Sequence, residues 1–167
     1  RQAHQVRGLD AMKIGILSDT HDETVATERA LKTFASAGCS LIVHAGDVCA
    51  PLTARLIKGC PVPHLAVFGN NDGDRVHLSM ILDIRPAPRY AEMEDTRIVI
   101  FHEPFINEQI DPTRVDLLVY GHTHQLDFSE RNGMQIINPG TVAGLLSGVK
   151  TCALYDTRTR KADIIEL

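Results

Sequence analysis

Five short apolar runs, each closed by a polar cluster, limit what this chain can fold into more than any other feature of its sequence. Residues 14–17 lead into Ser18-Asp19-Thr20-His21, and residues 41–43 into His44-Ala45-Gly46-Asp47. Residues 64–68 end at Gly69-Asn70-Asn71-Asp72, residues 97–101 at His102, and residues 117–120 at Gly121-His122-Thr123-His124. Short apolar runs bounded by turn-type residues read as buried strands. Helical stretches separate the first three. In the first of these, Asp22 suits the N-cap, Val25, Leu31 and Phe34 recur at helical spacing, and Gly38 suits the C′ position. A shorter helix over 52–58 leads through Gly59 and Pro61 to the third strand. The first half therefore reads β-α-β-α-β, which implies a parallel sheet with crossover helices.

The second half changes character. Residues 90–94 and 97–101 read as paired strands joined by a tight turn at Asp95-Thr96. Residues 125–130 and 135–137 flank Asn132-Gly133, a hairpin by its turn chemistry. Residues 151–156 and 162–167 form another around the polar stretch 157–161, and the proline-containing stretch 85–89 reads as a loop inside the domain. Mixed strands covered by helices make an α/β sandwich. At 167 residues, 44% hydrophobic and 23% charged, the chain has the size and composition of one packed domain. Residues 1–11 are polar and precede Met12 and the first strand, so they read as a tag remnant or flexible extension, with 12–167 as the domain.

Composition also removes several functions. Seventeen Lys and Arg against 21 Asp and Glu leave a net charge of −4, with no basic cluster for duplex nucleic acid. Aromatic residues are 5% with no Trp, which argues against a base-stacking platform. No apolar run approaches the roughly 18 residues of a membrane span. Cys39, Cys49, Cys60 and Cys152 lack C-x-x-C spacing and read as buried residues in a reducing cytoplasm, the expected location.

In α/β sheets, ligands bind beyond the carboxyl ends of the strands. Five strand ends on one edge gather Asp19, His21, Asp47, Asn70, His102, His122 and His124 in one cleft. A single Asp-x-His or His-x-His is more often a satisfied turn than a metal site; repetition at the same topological position carries the argument. Carboxylate, amide oxygen and imidazole without thiolate suit Mn²⁺, Fe or Zn²⁺. Seven donors exceed the four of a tetrahedral zinc and suit two ions sharing one carboxylate. Two divalent ions ~3.5–4 Å apart activate a water and clamp the oxygens of an in-line displacement. Their charge outweighs that of Asp19 and Asp47, so an anionic phosphate group is the natural substrate. Other polar residues have plainer readings: His44 as a packed strand-end residue, His64, His77 and Arg75 as surface or loop residues, and Cys49 as part of a buried helix start. Asp72 caps a turn or orients the metal surroundings, and Asn138 sits in a turn near the cleft.

Taken in order, Asp19-Thr20-His21, Gly46-Asp47, Gly69-Asn70-Asn71-Asp72, His102 and Gly121-His122-Thr123-His124 resemble the motifs of the calcineurin-like metallophosphoesterases. The resemblance spans 12–167, and Asn138-Pro139-Gly140-Thr141 is similar to the Asn-Pro-Gly-Ser stretch of the small single-domain branch. That branch includes bacterial and archaeal phosphodiesterases and the metallophosphoesterase-like sorting subunit of retromer. The resemblance implies a four-layer αββα sandwich. It implies that Asp19, His21 and His124 hold one metal, that Asn70, His102 and His122 hold a second, and that Asp47 bridges them. Catalysis would run through Asp47, Asn70 and His102 by way of a metal-bridging hydroxide that attacks phosphorus directly. Mn²⁺ is the favoured ion, with Fe, Zn²⁺, Ni²⁺ and Mg²⁺ as alternatives. The substrate would be a small phosphodiester or monoester; a homo-oligomer is compatible with this reading, and duplex nucleic acid and membrane are not expected partners. A non-catalytic interaction scaffold of the same fold, like the retromer subunit, is the alternative. Three departures stand out: Asn71 where many relatives carry a proton-donating histidine, His102 followed by Glu103 rather than glycine, and a short span between His102 and His122. An amide cannot serve as a general acid, so esters with poor leaving groups are expected to react slowly.

Overall fold

The computed structural model describes residues 12–167, and the expected extension 1–11 lies outside the described residues. In chain order the elements are β1 (Lys13–Leu17), α1 (Thr24–Ser36), β2 (Leu41–His44), α2 (Pro51–Gly59), β3 (His64–Val67), α3 (Arg75–Ile81) and β4 (Ile84–Arg85). There follow β5 (Arg89–Met93), β6 (Thr96–Ile100), a 3-10 helix (Pro104–Gln109), β7 (Leu117–Val119), β8 (Leu126–Arg131), β9 (Met134–Pro139), β10 (Thr151–Asp156) and β11 (Lys161–Glu166). A six-stranded sheet runs β11-β10-β1-β2-β3-β4, and a five-stranded sheet runs β5-β6-β7-β9-β8. β1 through β4 are parallel, as the β-α-β-α-β pattern requires, and the β10–β11 hairpin closes that sheet antiparallel to β1.

The sheets face each other across Ile14, Ile16, Leu41, Val43 and Val67 on one side and Ile98, Ile100, Leu117, Val119 and Ile137 on the other. Fully burying an Ile, Leu or Val side chain contributes roughly 1.5–3 kcal/mol, so this central layer is what fixes the two sheets together. On its outer face the six-stranded sheet buries Leu17, Ile42 and Ala66 under Ala30 and Phe34 of α1, Ala54 and Ile57 of α2, and Leu78 of α3. The five-stranded sheet is covered more thinly. Ile110 and Val115, which follow the 3-10 helix, pack with Val99, Phe101, Leu118, Tyr120 and Met134. The sandwich is thus mixed α/β with two mixed sheets, and its fourth layer is reduced to one 3-10 segment in the short span between His102 and His122.

Local chemistry departs from expectation in several places. Glu23, not Asp22, caps α1, because its Oε1 accepts from Val25 N and Ala26 N, each at 3.1 Å. Val25 lies on the solvent side of that helix at 60% exposure, so the apolar face is carried by Ala30, Leu31 and Phe34. The α1 end does follow its sequence, with Gly38 N donating to Ala35 O and Cys39 N to Phe34 O, a Schellman motif. The β5–β6 turn sits at Glu94-Asp95 rather than Asp95-Thr96, since Met93 pairs with Thr96. Residues 85–89 are not simply a loop: Arg85 ends β4, and Arg89 starts β5 with its side chain 7% exposed. The Asn132-Gly133 hairpin turn is as expected, with φ of +48° and +86°. Among the described residues no helix is long and apolar enough to cross a membrane.

Candidate metal centre

The seven sequence-derived donors converge, but not on one sheet. Asp19, His21, Asp47 and Asn70 follow β1, β2 and β3 of the six-stranded sheet, while His102, His122 and His124 follow β6 and β7 of the other. Parallel pairing continues past the strands and carries the loops with it: Asp19 N donates to Gly46 O, His21 N to Asp47 O, and Gly121 N to His102 O, all at 3.0 Å. Asp19, His21, Asp47, His122 and His124 all have positive φ, between +44° and +67°. Non-glycine residues held in this region typically cost about 1–3 kcal/mol each and cluster at functional sites.

Close approach explains the glycine in two of the motifs. A Cβ on Gly69 would overlap Asp47 Oδ1 and its backbone nitrogen, and a Cβ on Gly121 would overlap Ser18 Oγ. The Gly-Asn and Gly-His pairs therefore let neighbouring loops touch.

Hydrogen bonding fixes which imidazole nitrogen faces the cleft. His102 Nδ1 donates to Ala45 O at 2.7 Å, and His124 Nδ1 donates to Leu145 O at 3.0 Å. Carbonyls only accept, so these nitrogens carry the proton and each Nε2 turns inward as a lone-pair donor. His124 Nε2 then lies 3.0 Å from Asp19 Oδ1. His102 Nε2 lies 3.0 Å from Asn70 Oδ1 and 3.4 Å from Asp47 Oδ2. His122 Nδ1 lies 2.9 Å from the same Asn70 oxygen. His21 Nε2 is buried without a hydrogen-bond partner, 3.8 Å from Asp47 Oδ2. Electron-rich atoms gathered this closely call for a cation among them. Adjacent donors around an ion at about 2.1 Å lie about 3 Å apart, so the spacing fits a divalent metal.

Among His, Cys, Asp and Glu side chains, Asp19, His21 and His124 form one candidate metal group, and Asp19, Asp47 and His102 a second. Asp19 falls in both and Asp47 in the second, with Asp47 Oδ2 3.8 Å from His21 Nε2 of the first. Side-chain donor atoms of Asp47, Cys49 and Asp72 also lie close together. Asp72, however, is committed elsewhere: it accepts from Asp47 N, Cys49 N and Gly69 N at 3.1, 2.7 and 2.7 Å. It is a clamp on the loop after β2, a role that sequence reasoning left undecided between turn cap and metal surroundings.

Electrostatics reflect the same crowding of carboxylates and imidazoles. Burial alone would raise the Asp47 carboxyl, but the His102 imidazole beside it and the hydrogen bonds from Asn71 hold it well below the usual carboxylate range. Burial opposes the charged form of His102, yet the facing Asp47 and Asp19 carboxylates raise its pKa. His44 is pushed down to about 3 by burial and stays neutral. Its ring joins Thr20 Oγ1 at 3.0 Å and accepts from Gly46 N at 3.1 Å, a strand-end packing role outside the donor set.

Asn71 does not stand free over the cleft. Its backbone N donates to Asp47 Oδ1 at 2.9 Å and its Nδ2 to Oδ2 at 2.8 Å. Arg75 is no free surface arginine either: it donates to Asp72 O and Gly69 O, each at 3.2 Å, over the Phe68 ring. His64 begins β3, where its Nε2 accepts from Asp83 N at 3.2 Å. Asn138 is fully buried in β9, donating to Gly121 O and Thr123 Oγ1 at 3.0 Å, which pins the His122–His124 loop. Cys49 precedes α2, which starts at Pro51, and its Sγ sits 3.4 Å from His21 Nδ1. The neutral acceptors Ala45 O and Leu145 O left no trace in the sequence, because any residue supplies a carbonyl.

A fold of two mixed sheets carrying this donor set at five strand ends is that of a metallophosphoesterase. The model of the calcineurin-like phosphoesterase superfamily domain matches residues 12–160, and the chain belongs to that superfamily, as a metal-dependent phosphoester hydrolase. The phosphodiesterase MJ0936 of Methanocaldococcus jannaschii is 31% identical over 159 residues, covering 90% of this chain and 96% of that protein. A solved archaeal phosphodiesterase superposes with a TM-score of 0.88 at 31% identity, covering 93% of this chain and 100% of that one. The sorting protein Vps29 of Cryptosporidium parvum shares the fold at a TM-score of 0.65 and 20% identity, over 94% and 97% of the two chains.

Proposed function

We propose that the protein is a phosphodiesterase that works with two divalent ions on small substrates in the cytoplasm. The observation that carries this reading is the inward convergence of imidazole nitrogens and carboxylate and amide oxygens from both sheets. Asp19, His21 and His124 would hold one ion, Asn70, His102 and His122 the other, and Asp47 would bridge. Oxygen and nitrogen donors without thiolate favour Mn²⁺, with Fe, Zn²⁺, Ni²⁺ and Mg²⁺ as alternatives. When bound, the ions supply an acidified water for attack on phosphorus and neutralise charge on the substrate oxygens.

The chain's own part is preorganisation. Ala45 O and Leu145 O fix the tautomers of His102 and His124. Ser18 Oγ and His122 N both donate to Asp19 Oδ2, at 2.6 and 3.1 Å, and orient that carboxylate. Asn71 holds Asp47 through both its backbone and its amide, so its side chain is engaged there and offers no acid to a leaving oxygen. The net charge of −4 gives no long-range attraction for a polyanion, which supports a small ester over duplex nucleic acid. The diester preference rests on the phosphodiesterase relatives, and the cytoplasmic location on four free thiols. The scaffold reading draws on the Vps29 likeness alone, and a scaffold has no physical need of a complete donor set.

The test is removal of metal with a chelator, followed by Mn²⁺ add-back and assay of a nitrophenyl phosphodiester. Activity should vanish and return, with two ions per chain by elemental analysis. Hydrolysis indifferent to chelation, or a single ion unaffected by Asn70→Ala and His122→Ala, would overturn the dinuclear reading.

A further inference from the structure

His21 differs from His102 and His124 in what stands behind it. Behind His102 and His124 are carbonyl oxygens, which lock the proton on Nδ1. Behind His21 is the Cys49 thiol, with Sγ 3.4 Å from Nδ1. A thiol both donates and accepts weakly, so two arrangements compete. If S–H donates to Nδ1, the ring proton sits on Nε2 and points at Asp47 and the donor cluster. If Nδ1–H donates to sulfur, Nε2 is left bare, buried and without a partner. Only the second arrangement can hold a cation.

The loops that carry the thiol and the ring are both held in place. Cys49 has a φ of +61°, and its backbone N donates to Asp72 Oδ1 at 2.7 Å. On the other side, His21 N donates to Asp47 O at 3.0 Å and His21 O accepts from Thr53 Oγ1 at 2.9 Å. Both backbones are therefore pinned where the ring edge meets the sulfur.

We propose that Cys49 is a positioning residue for His21, accepting its Nδ1–H so that Nε2 is presented to the metal held with Asp19 and His124. The inference rests on the ligand set proposed above. It makes this group the adjustable half of the centre, because the orienting partner of His21 is a soft, two-way hydrogen-bonding group, whereas His102 is held by a carbonyl, which only accepts.

Replacing the outer partner of a metal-ligating histidine typically costs about 10–100-fold in metal affinity. Cys49→Ala should therefore weaken one of two Zn²⁺ ions by that factor in calorimetric titration and leave the other unchanged. Cys49→Ser, which keeps a group able to accept from Nδ1, should recover most of the loss. Ring ¹⁵N shifts of the Zn²⁺-loaded protein should report His21 with its proton on Nδ1, and in Cys49→Ala that signal should weaken. His21→Ala is the control for the ligand set itself. If it leaves both ions in place, the ligand reading fails. If it removes one ion while Cys49→Ala changes neither affinity nor ring shifts, the role given to Cys49 is wrong and the ligand set stands.

Discussion

Asp47 lies between His21 Nε2 and His102 Nε2, at 3.8 and 3.4 Å, and takes both of its side-chain hydrogen bonds from Asn71. Asp47→Asn keeps the volume and removes one of the two negative charges in the cleft. Both ions should be lost together at moderate metal concentration, whereas His21→Ala and His122→Ala should each empty one site; metal analysis after gel filtration reads the difference. Loss of one ion only from Asp47→Asn would mean that Asp19 does the sharing. Gly69→Ala probes the same atom from behind. Its backbone is ordinary for an L-residue, so the cost is steric, and displacing a tightly packed neighbour typically costs about 1–3 kcal/mol. The variant should melt earlier and bind metal more weakly, and an unchanged melting curve would contradict the tight loop contact. At this scale the sequence was most readable where side-chain type decides the chemistry. Asp, Asn and His at strand ends announce donors, and those donors converge. Asp72 stayed between two readings, because three backbone N–H groups converging on one carboxylate depend on how loops meet in space.

Elements were readable where periodicity and turn chemistry agree, as in the parallel strands and the Asn132-Gly133 hairpin. They were not where short segments and prolines mask the pattern, as for α3, β4 and the start of β5. Arg89 shows why that region matters. Its side chain is 7% exposed, and its guanidinium donates to Ala66 O, Asp83 O and Asp83 Oδ2 at 3.1, 2.6 and 2.6 Å, tying β5 of one sheet to β3 and the approach to β4 of the other. Arg89→Met would remove the charged hydrogen bonds to Ala66 O and Asp83 O, although Asp83 O keeps its bond from Ala66 N, a loss of about 1.5–3 kcal/mol. The Arg89 hydrogen bond holds the Asp83 carboxyl below its ordinary value. A carboxylate depressed in the folded state stabilises above its unfolded pKa, about 3.9, and that stability is lost as pH falls through the folded value. Urea midpoints should therefore differ more between wild type and Arg89→Met at pH 7 than at pH 3. A gap that is constant with pH would assign the whole effect to the carbonyl bonds.

At the scale of the molecule, the sequence carried the strands and their polar ends but not their division between two sheets. A parallel ladder of five ends on one edge is the simplest reading of the pattern; the partition is a tertiary fact, set by which apolar faces meet. It has a consequence for stability. Each proposed metal group draws donors from both sheets: Asp19 and His21 with His124, and Asp47 and Asn70 with His102 and His122. Ions bound there would cross-link the mouth of the sandwich, and the unfolded chain, with its donors scattered from position 19 to position 124, could not hold them equally well. An ion that binds only the folded state stabilises it by about 2.7 kcal/mol at 100 times its dissociation constant. For a chain of this size each kcal/mol moves the melting temperature by roughly 2–4 °C, so the shift should be about 5–10 °C per site. Thermal melts over a Mn²⁺ series, against a chelated reference, should rise with the logarithm of metal concentration. Asp47→Asn should stay nearly flat over the same range. Hydrogen exchange should slow most in the loops after β1, β2, β6 and β7 together, since the clamp acts on both sheets at once. Protection confined to one sheet, or a melting temperature indifferent to saturating metal, would mean that the ions sit on a single sheet and that the shared centre is wrongly drawn.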